Sequence, residues 1–196
     1  MLEARPLNSV KLFKYFNPLL AQRIKRTVGE TGLPMVNAGA RNDIEILLMS
    51  GAHTGIFVDL KDRSDWLTSD IKRSNDAIVL SVSGMDPRPR DIRFRYNLED
   101  YRILYYRNDV KNLAEILGEQ KIAFYYNAFS GGPEIIPEAA FNALVKWGFL
   151  ISPRSLGNPN TCFERTGLKM VSELTVINEI EPDGPGLIGF IYQKYR

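Results

Sequence analysis

The chain is predicted to fold as an open α/β sheet of about seven strands, mostly parallel, with helices on both faces and the last strand antiparallel. Three observations predict it. Short apolar runs such as "PMVNAGA" and "TGIFVDL" alternate with capped amphipathic segments, the pattern of strands joined by helical crossovers. The balance of 44% hydrophobic and 24% charged residues over 196 residues suits one domain with a sizeable core. The last two apolar runs are separated only by "EPDGPG", which allows an antiparallel hairpin and no helical crossover.

The elements run in order along the chain. Residues 1–16 are a lead-in, basic and aromatic over 8–16, and a single domain is expected over 17–196. In "NPLLAQRIKRTVGETG", Asn17 is placed as N-cap, Pro18 at the first helical position and Gly32 at the end. Leu20, Ile24 and Val28 share one face, which should dock on a core. "PMVNAGA" reads as a buried strand. "NDIEILLMSG" reads as a helix capped by Asn42 or Asp43 and stopped by Gly51. "TGIFVDL" is the next strand, and "SDWLTSDIKR" a helix capped by Ser64 or Asp65. "DAIVLSVSG" is a strand, Gly84 to Pro89 a loop, and "IRFRYNLEDYRILYY" two strands around Asn97 to Asp100. The stretch around 76–100 therefore reads as an insertion. "VKNLAEILG" (helix), "KIAFYYN" (strand), "PEAAFNALVKWG" (helix), "FLISP" (strand) and "NTCFERTG" (short helix) resume the alternation, and "ELTVINEI" and "LIGFIYQKY" close it as strands.

Composition narrows the function. With 25 basic and 23 acidic residues the net charge is +2, which argues against nucleic acid as a partner. Cys162 is the single cysteine and His53 the single histidine, so neither an internal disulfide nor a Cys/His zinc set is expected. No apolar run approaches the ~20 residues of a membrane span, and the first residues lack a secretory h-region. These readings predict a soluble, cytoplasmic protein with no membrane partner.

Ligands of open α/β sheets sit at the carboxyl ends of the strands, near the switch in strand order. The turn after the first strand falls there. Ala38, Gly39 and Ala40 have almost no side chain, so the backbone can approach a ligand, and the next helix presents its amides. Asp59 ends the second strand, twenty residues after Gly39, a distance that suits a grip on two ribose hydroxyls. Asp109 ends a third strand. Each residue also has a structural reading. A small-residue turn serves close helix packing, Asp59 suits a strand-end charge or a cap, and Asp109 suits the cap of "VKNLAEILG". Arg93 and Arg95 share a strand face with Phe94 and Tyr96 on the other, a pattern that suits tracking a phosphate backbone, but Asp86, Asp91, Glu99 and Asp100 around it favour a solvated hairpin face. His53 reads as a loop histidine in preference to a catalytic one, "SGGPE" as a lid or a plain connection, and one of Tyr125 and Tyr126 should face the core while the other faces the crevice.

The order of elements and the stretches "EAAFNALVKWGFLISP", "FERTGLKMVSELTVINEI" and "GFIYQKYR" resemble the Rossmann-like class I S-adenosylmethionine-dependent methyltransferases, from about Asn17 onward. The resemblance implies S-adenosylmethionine as cofactor and a small-molecule or otherwise unidentified methyl acceptor. It puts the first motif on Val36 to Arg41, with Asn37, Ala38, Gly39 and Ala40 toward the methionine part of the cofactor. It gives Asp59 the ribose hydroxyls, Leu60 a place beside the adenine, Asp109 the adenine amino group, and Asn127 the fourth motif, where acceptor and methyl group meet. The sequence departs from that pattern. Asn37 stands for the usual acid, Ala40 for a glycine and Arg41 for a small residue. Asn127-Ala128-Phe129 replaces the Asn-Pro-Pro-aromatic box, so methylation of a base amino group is not indicated. No catalytic residue is singled out, because methyl transfer needs mainly proximity and alignment. Two functions stay open: a methyltransferase, or a binding or assembly protein on the same scaffold that has lost the cofactor.

Overall fold

The computed structural model describes residues 18–40, 44–128, 136–152, 156, 167–176 and 187–196. The lead-in, Arg41, the caps Asn42 and Asp43, the "SGGPE" segment and most of the expected "NTCFERTG" helix lie outside them.

The described chain forms helix α1 (Pro18–Thr31), strand β1 (Met35–Ala38), α2 (Ile44–Ser50), β2 (Thr54–Asp59), α3 (Ser64–Arg73), β3 (Ala77–Ser83), β4 (Arg90–Tyr96) and β5 (Glu99–Arg107). A 3-10 turn at Val110–Asn112 leads into α4 (Leu113–Leu117), followed by β6 (Ile122–Asn127), α5 (Glu138–Ala143), β7 (Leu144–Ser152), β8 (Leu168–Val176) and β9 (Leu187–Lys194). All strands join one sheet in the order β3-β4-β5-β2-β1-β6-β7-β9-β8. The five strands from β5 to β7 run parallel. The last strand, β9, lies antiparallel between β7 and β8. The sheet has nine strands rather than about seven, because β3 and β4 extend it beyond β5 as an antiparallel pair.

Helices cover both faces. Ile24 and Val28 of α1, the body of α2, and Leu67 and Ile71 of α3 pack with Met35, Phe57, Ile103 and Phe124. On the opposite face Val110, Leu113, Leu117 and Ala140 pack with Val36, Ile56, Val58 and Tyr125. Central strands buried on both faces need apolar side chains at successive positions, which is why β1 and β2 read as continuous apolar runs. At the crossing of α1 and α2, Gly51 adopts φ +82°, and a Cβ there would lie 2.2 Å from the Lys25 carbonyl oxygen.

Two element boundaries differ from the sequence expectation. The α3 N-cap is Arg63, which makes no side-chain cap bond, and Asp62 just before it accepts at Oδ1 from the Ser64 amide (2.9 Å) and the Ser64 hydroxyl (2.6 Å). The α5 helix stops at Ala143 instead of Gly148. Lys194 of β9 donates to the Phe141 and Leu144 carbonyls at 2.6 Å each, satisfying the helix end, and the chain passes at once into β7. A long-range cap and sheet pairing override the local helix preference of "ALVKW".

Candidate cofactor site at the carboxyl edge

Strand register sets the geometry. Ala38 lies opposite Val58 on one side and Asn127 on the other, and Asp59 lies opposite Arg107. The residues after β1, β2, β5 and β6 therefore emerge at the same edge. Sheet order reverses at β1: β2 and β5 extend to one side, β6 and β7 to the other. Open α/β sheets hold their ligands at such a switch point.

After Ala38 the chain turns through Gly39 at φ +76°, a conformation that disfavours side chains. The Gly39 and Ala40 amides donate to the Val58 carbonyl at 2.8 and 3.2 Å, and the Ala128 amide donates to the Ala38 carbonyl at 2.8 Å. The turn is thus tied to both neighbouring strands. Tyr105 adds a third tie. Its buried hydroxyl lies 2.9 Å from the Ala40 carbonyl oxygen and 3.2 Å from that of Lys61, so it joins the turn after β1 to the turn after β2. Burial pushes the Tyr105 phenol well up, and the nearby Asp59 charge adds to the effect.

Asn37 is wholly buried, and both polar atoms of its amide lack a hydrogen-bond partner among the described residues. It lies in register with Phe57 and Tyr126. A buried amide without partners carries a desolvation cost unless a ligand or other group meets it.

Asp59 is partly engaged. Its Oδ1 accepts from the Lys61 amide at 2.9 Å, and its Oδ2 lies 3.9 Å from Arg63 Nε. Leu60 beside it is 62% exposed. The Arg63 guanidinium sits 5.8 Å from the Trp66 ring centre, and Trp66 is itself exposed. Asp109 caps the 3-10 turn, its Oδ1 accepting from the Lys111 amide at 3.0 Å. Its other oxygen makes no hydrogen bond among the described residues. Asn127 ends β6 and is buried.

Other sequence readings also resolve. Tyr125 is the core-facing member of its pair, wholly buried with its hydroxyl unpartnered among the described residues, whereas Tyr126 is half-buried. Arg95 and Asp100 pair through two bonds of 2.6 and 3.1 Å, as do Arg102 and Asp91 at 3.0 and 2.8 Å. The hairpin face is a ladder of ion pairs. His53 precedes β2, at the opposite edge of the sheet, stacked on Tyr101 at 5.1 Å.

Two contributors escaped the sequence reading. The first is Tyr105, whose only signal was its inward parity in "RILYYR". The second is the loop Gly84–Pro89. Two antiparallel steps from β5 give β3 the direction of β5 again, so this loop returns to the site edge. Arg90 Nη2 meets Asp65 Oδ1 at 2.9 Å, and Arg107 Nη1 meets Asp86 Oδ2 at 3.5 Å.

No family model matches the chain, and no curated protein sequence matches it. Solved structures do. An rRNA methylase from Streptococcus thermophilus is 12% identical over 92% of this chain and 98% of its own, with a TM-score of 0.53. An O-methyltransferase from Bacillus cereus in complex with SAH is 13% identical over 92% of this chain and 82% of its own, with a TM-score of 0.52. A tRNA methyltransferase from Methanocaldococcus jannaschii is 14% identical over 93% of this chain and 51% of its own, with a TM-score of 0.51. These neighbours overturn the expectation that net charge argues against nucleic acid. The fold is carried by proteins named for rRNA and tRNA methylation, and a near-zero sum conceals how charge is distributed along a chain. No described helix is long and apolar enough to cross a bilayer. Sheet order, the antiparallel last strand and these neighbours agree that the chain carries the class I fold of the S-adenosylmethionine-dependent methyltransferases.

Proposed function

We propose that the protein is an S-adenosylmethionine-dependent methyltransferase. The observation that carries the reading is the convergence of Asn37 to Ala40, Asp59, Leu60, Asp109 and Asn127 on one sheet edge at the switch point of strand order. When bound, the cofactor supplies an electrophilic methyl group on a sulfonium. The turn Ala38–Ala40, small and held on both sides, leaves room for close backbone approach. The orphaned Asn37 amide fits a polar ligand group. Asp59 accepts from the ribose hydroxyls through the carboxylate edge that Lys61 leaves free, and exposed Leu60 offers an apolar surface to the adenine. Asp109, with one oxygen uncommitted among the described residues, reaches the adenine amino group, and Asn127 orients the acceptor. Alignment supplies most of the rate enhancement such a site needs. Nucleic acid belongs among the candidate acceptors, as it does for the rRNA and tRNA methylases of the same fold.

Two observations favour a second reading, a binding protein that has lost the cofactor. Arg63 approaches Asp59, and Asp109 already serves as a cap. Calorimetric titration of the full chain with S-adenosylmethionine and S-adenosylhomocysteine separates the two. One-to-one binding supports the enzyme. Absence of heat at about 1 mM ligand, equivalent to less than about 4 kcal/mol of affinity, supports the scaffold.

A further inference from the structure

One side of the sheet ends on an unguarded strand. β3 is the outermost member there and pairs only with β4. A strand in that position offers a row of backbone amides and carbonyls to any chain that arrives extended. Sheet edges are commonly blunted by charged residues or proline, and the strand at the far edge, β8, carries Lys169 and Glu173. β3 reads "AIVLSVS", with neither charge nor proline in its seven residues.

Its side chains add to the exposure. Ala77 and Val79 pack on the core, but Ile78 is 66% exposed, Leu80 47% and Val82 37%, and Met85 just beyond the strand is 75% exposed. The pairing with β4 skips Leu80. Single exposed apolar residues are ordinary, whereas a run of them along one unpaired edge marks an interaction surface. We propose that β3 is a dimerisation edge whose occupant is β3 of a second copy of this chain, paired antiparallel about a twofold axis.

Charge selects that occupant. A twofold contact sets each strand against itself, and like charges directly opposite one another resist pairing. β3 has none to oppose. The charges beside it on β4 are already matched, Arg95 to Asp100 at 2.6 Å and Arg93 to Asp91 at 3.5 Å, so a charged peptide finds no complement along this edge. Antiparallel pairing also brings the end that carries Asp76 toward the mate's end that carries Arg88. Asp86 at that end is engaged by Arg107. The antiparallel ladder lets equivalent residues of the two copies exchange hydrogen bonds. The two sheets then continue into one another, and their carboxyl edges point in opposite directions. Both candidate cofactor sites stay open.

Sedimentation velocity of the full chain over a dilution series tests the pairing. Expected is a reversible equilibrium between one and two chains that goes no further, because a twofold contact closes on itself. The paired substitution Ile78→Lys and Leu80→Lys raises the dimer dissociation constant at least about tenfold by setting charge against charge on the edge. The milder pair Ile78→Thr and Leu80→Thr keeps strand preference, removes apolar area and weakens the dimer in the same direction. Leu19→Lys, at an exposed position on α1, leaves it unchanged. Hydrogen exchange locates the contact: β3 amides exchange more slowly in the dimer than in the lysine pair. The proposal is overturned if the chain is a monomer at every dilution, if both substituted pairs associate as the unsubstituted chain does, if assembly passes beyond two chains, or if a dimer forms without slowing the β3 amides. No cofactor takes part, so each of these results leaves the methyltransferase reading standing.

Discussion

The Tyr105 hydroxyl lies 2.9 Å from the Ala40 carbonyl oxygen, and this contact fixes the turn after β1 against the turn after β2. Tyr105→Phe removes the donor and leaves a buried carbonyl to find other partners, a loss of about 1 to 2 kcal/mol. The expected outcome is a melting temperature lower by a few degrees together with weaker S-adenosylmethionine binding in calorimetry. A variant that melts lower and binds the cofactor unchanged would show that the tie stabilises the fold without shaping the site.

Asp59 has two jobs that different substitutions separate. Its Oδ1 closes the turn on the Lys61 amide, and the rest of the carboxylate is proposed to hold the ribose. Asp59→Asn keeps an acceptor for Lys61 and removes the charge, so cofactor affinity falls at least tenfold, about 1.4 kcal/mol, with little change in melting. Asp59→Ala loses both and also melts lower. Equal affinity in the unsubstituted chain and Asp59→Asn would remove Asp59 from the cofactor site.

Arg63→Ala addresses the competing reading directly. If Arg63 holds Asp59 away from a ligand, its removal strengthens S-adenosylmethionine binding several-fold. On the proposed function the change is small, since the pair is long at 3.9 Å and contacts of that kind contribute little.

Acid should weaken the hairpin. Arg102 hydrogen bonds hold Asp91 below the usual carboxylate range despite partial burial, with Arg93 adding to the effect. A carboxylate depressed in the folded state contributes stability above its unfolded value of about 3.9, and that contribution is lost as pH falls through the lower folded value. Melting curves from pH 6 to about pH 3 should therefore fall less steeply for Asp91→Asn than for the unsubstituted chain. Parallel curves would contradict this assignment.

Gly51→Ala places a methyl group 2.2 Å from the Lys25 carbonyl oxygen at φ +82°. Both terms oppose folding, and the left-handed backbone alone costs about 1 to 2 kcal/mol. For a chain of this size each kcal/mol lowers the melting temperature by about 2 to 4 °C. A melting temperature unchanged by the substitution would mean that α1 and α2 separate freely at this crossing.

The fold was legible because its signals are local. Val36, Phe57 and Phe124 sit in apolar runs whose length and spacing already describe buried parallel strands, and "EPDGPG" is too short for anything but a reversal. The edge residues Gly39, Asp59 and Asn127 were legible for the same reason, since each ends a run. What stayed hidden depends on partners distant in sequence. Tyr105 reaches Ala40 across 65 positions and Lys194 reaches Leu144 across 50. Local spacing carries no record of such contacts.

The sheet gains two strands beyond β5, and the evenness of that number has a consequence for how this protein can diversify. A single added strand would have delivered its far end to the rim that holds His53, remote from Asp59. A pair brings Gly84–Pro89 back beside Arg107 and Asp65 while the five parallel strands keep their neighbours. The loop is therefore a natural graft point. Sequences exchanged between Ser83 and Arg90 alter that rim while the residues proposed to hold the cofactor keep their places.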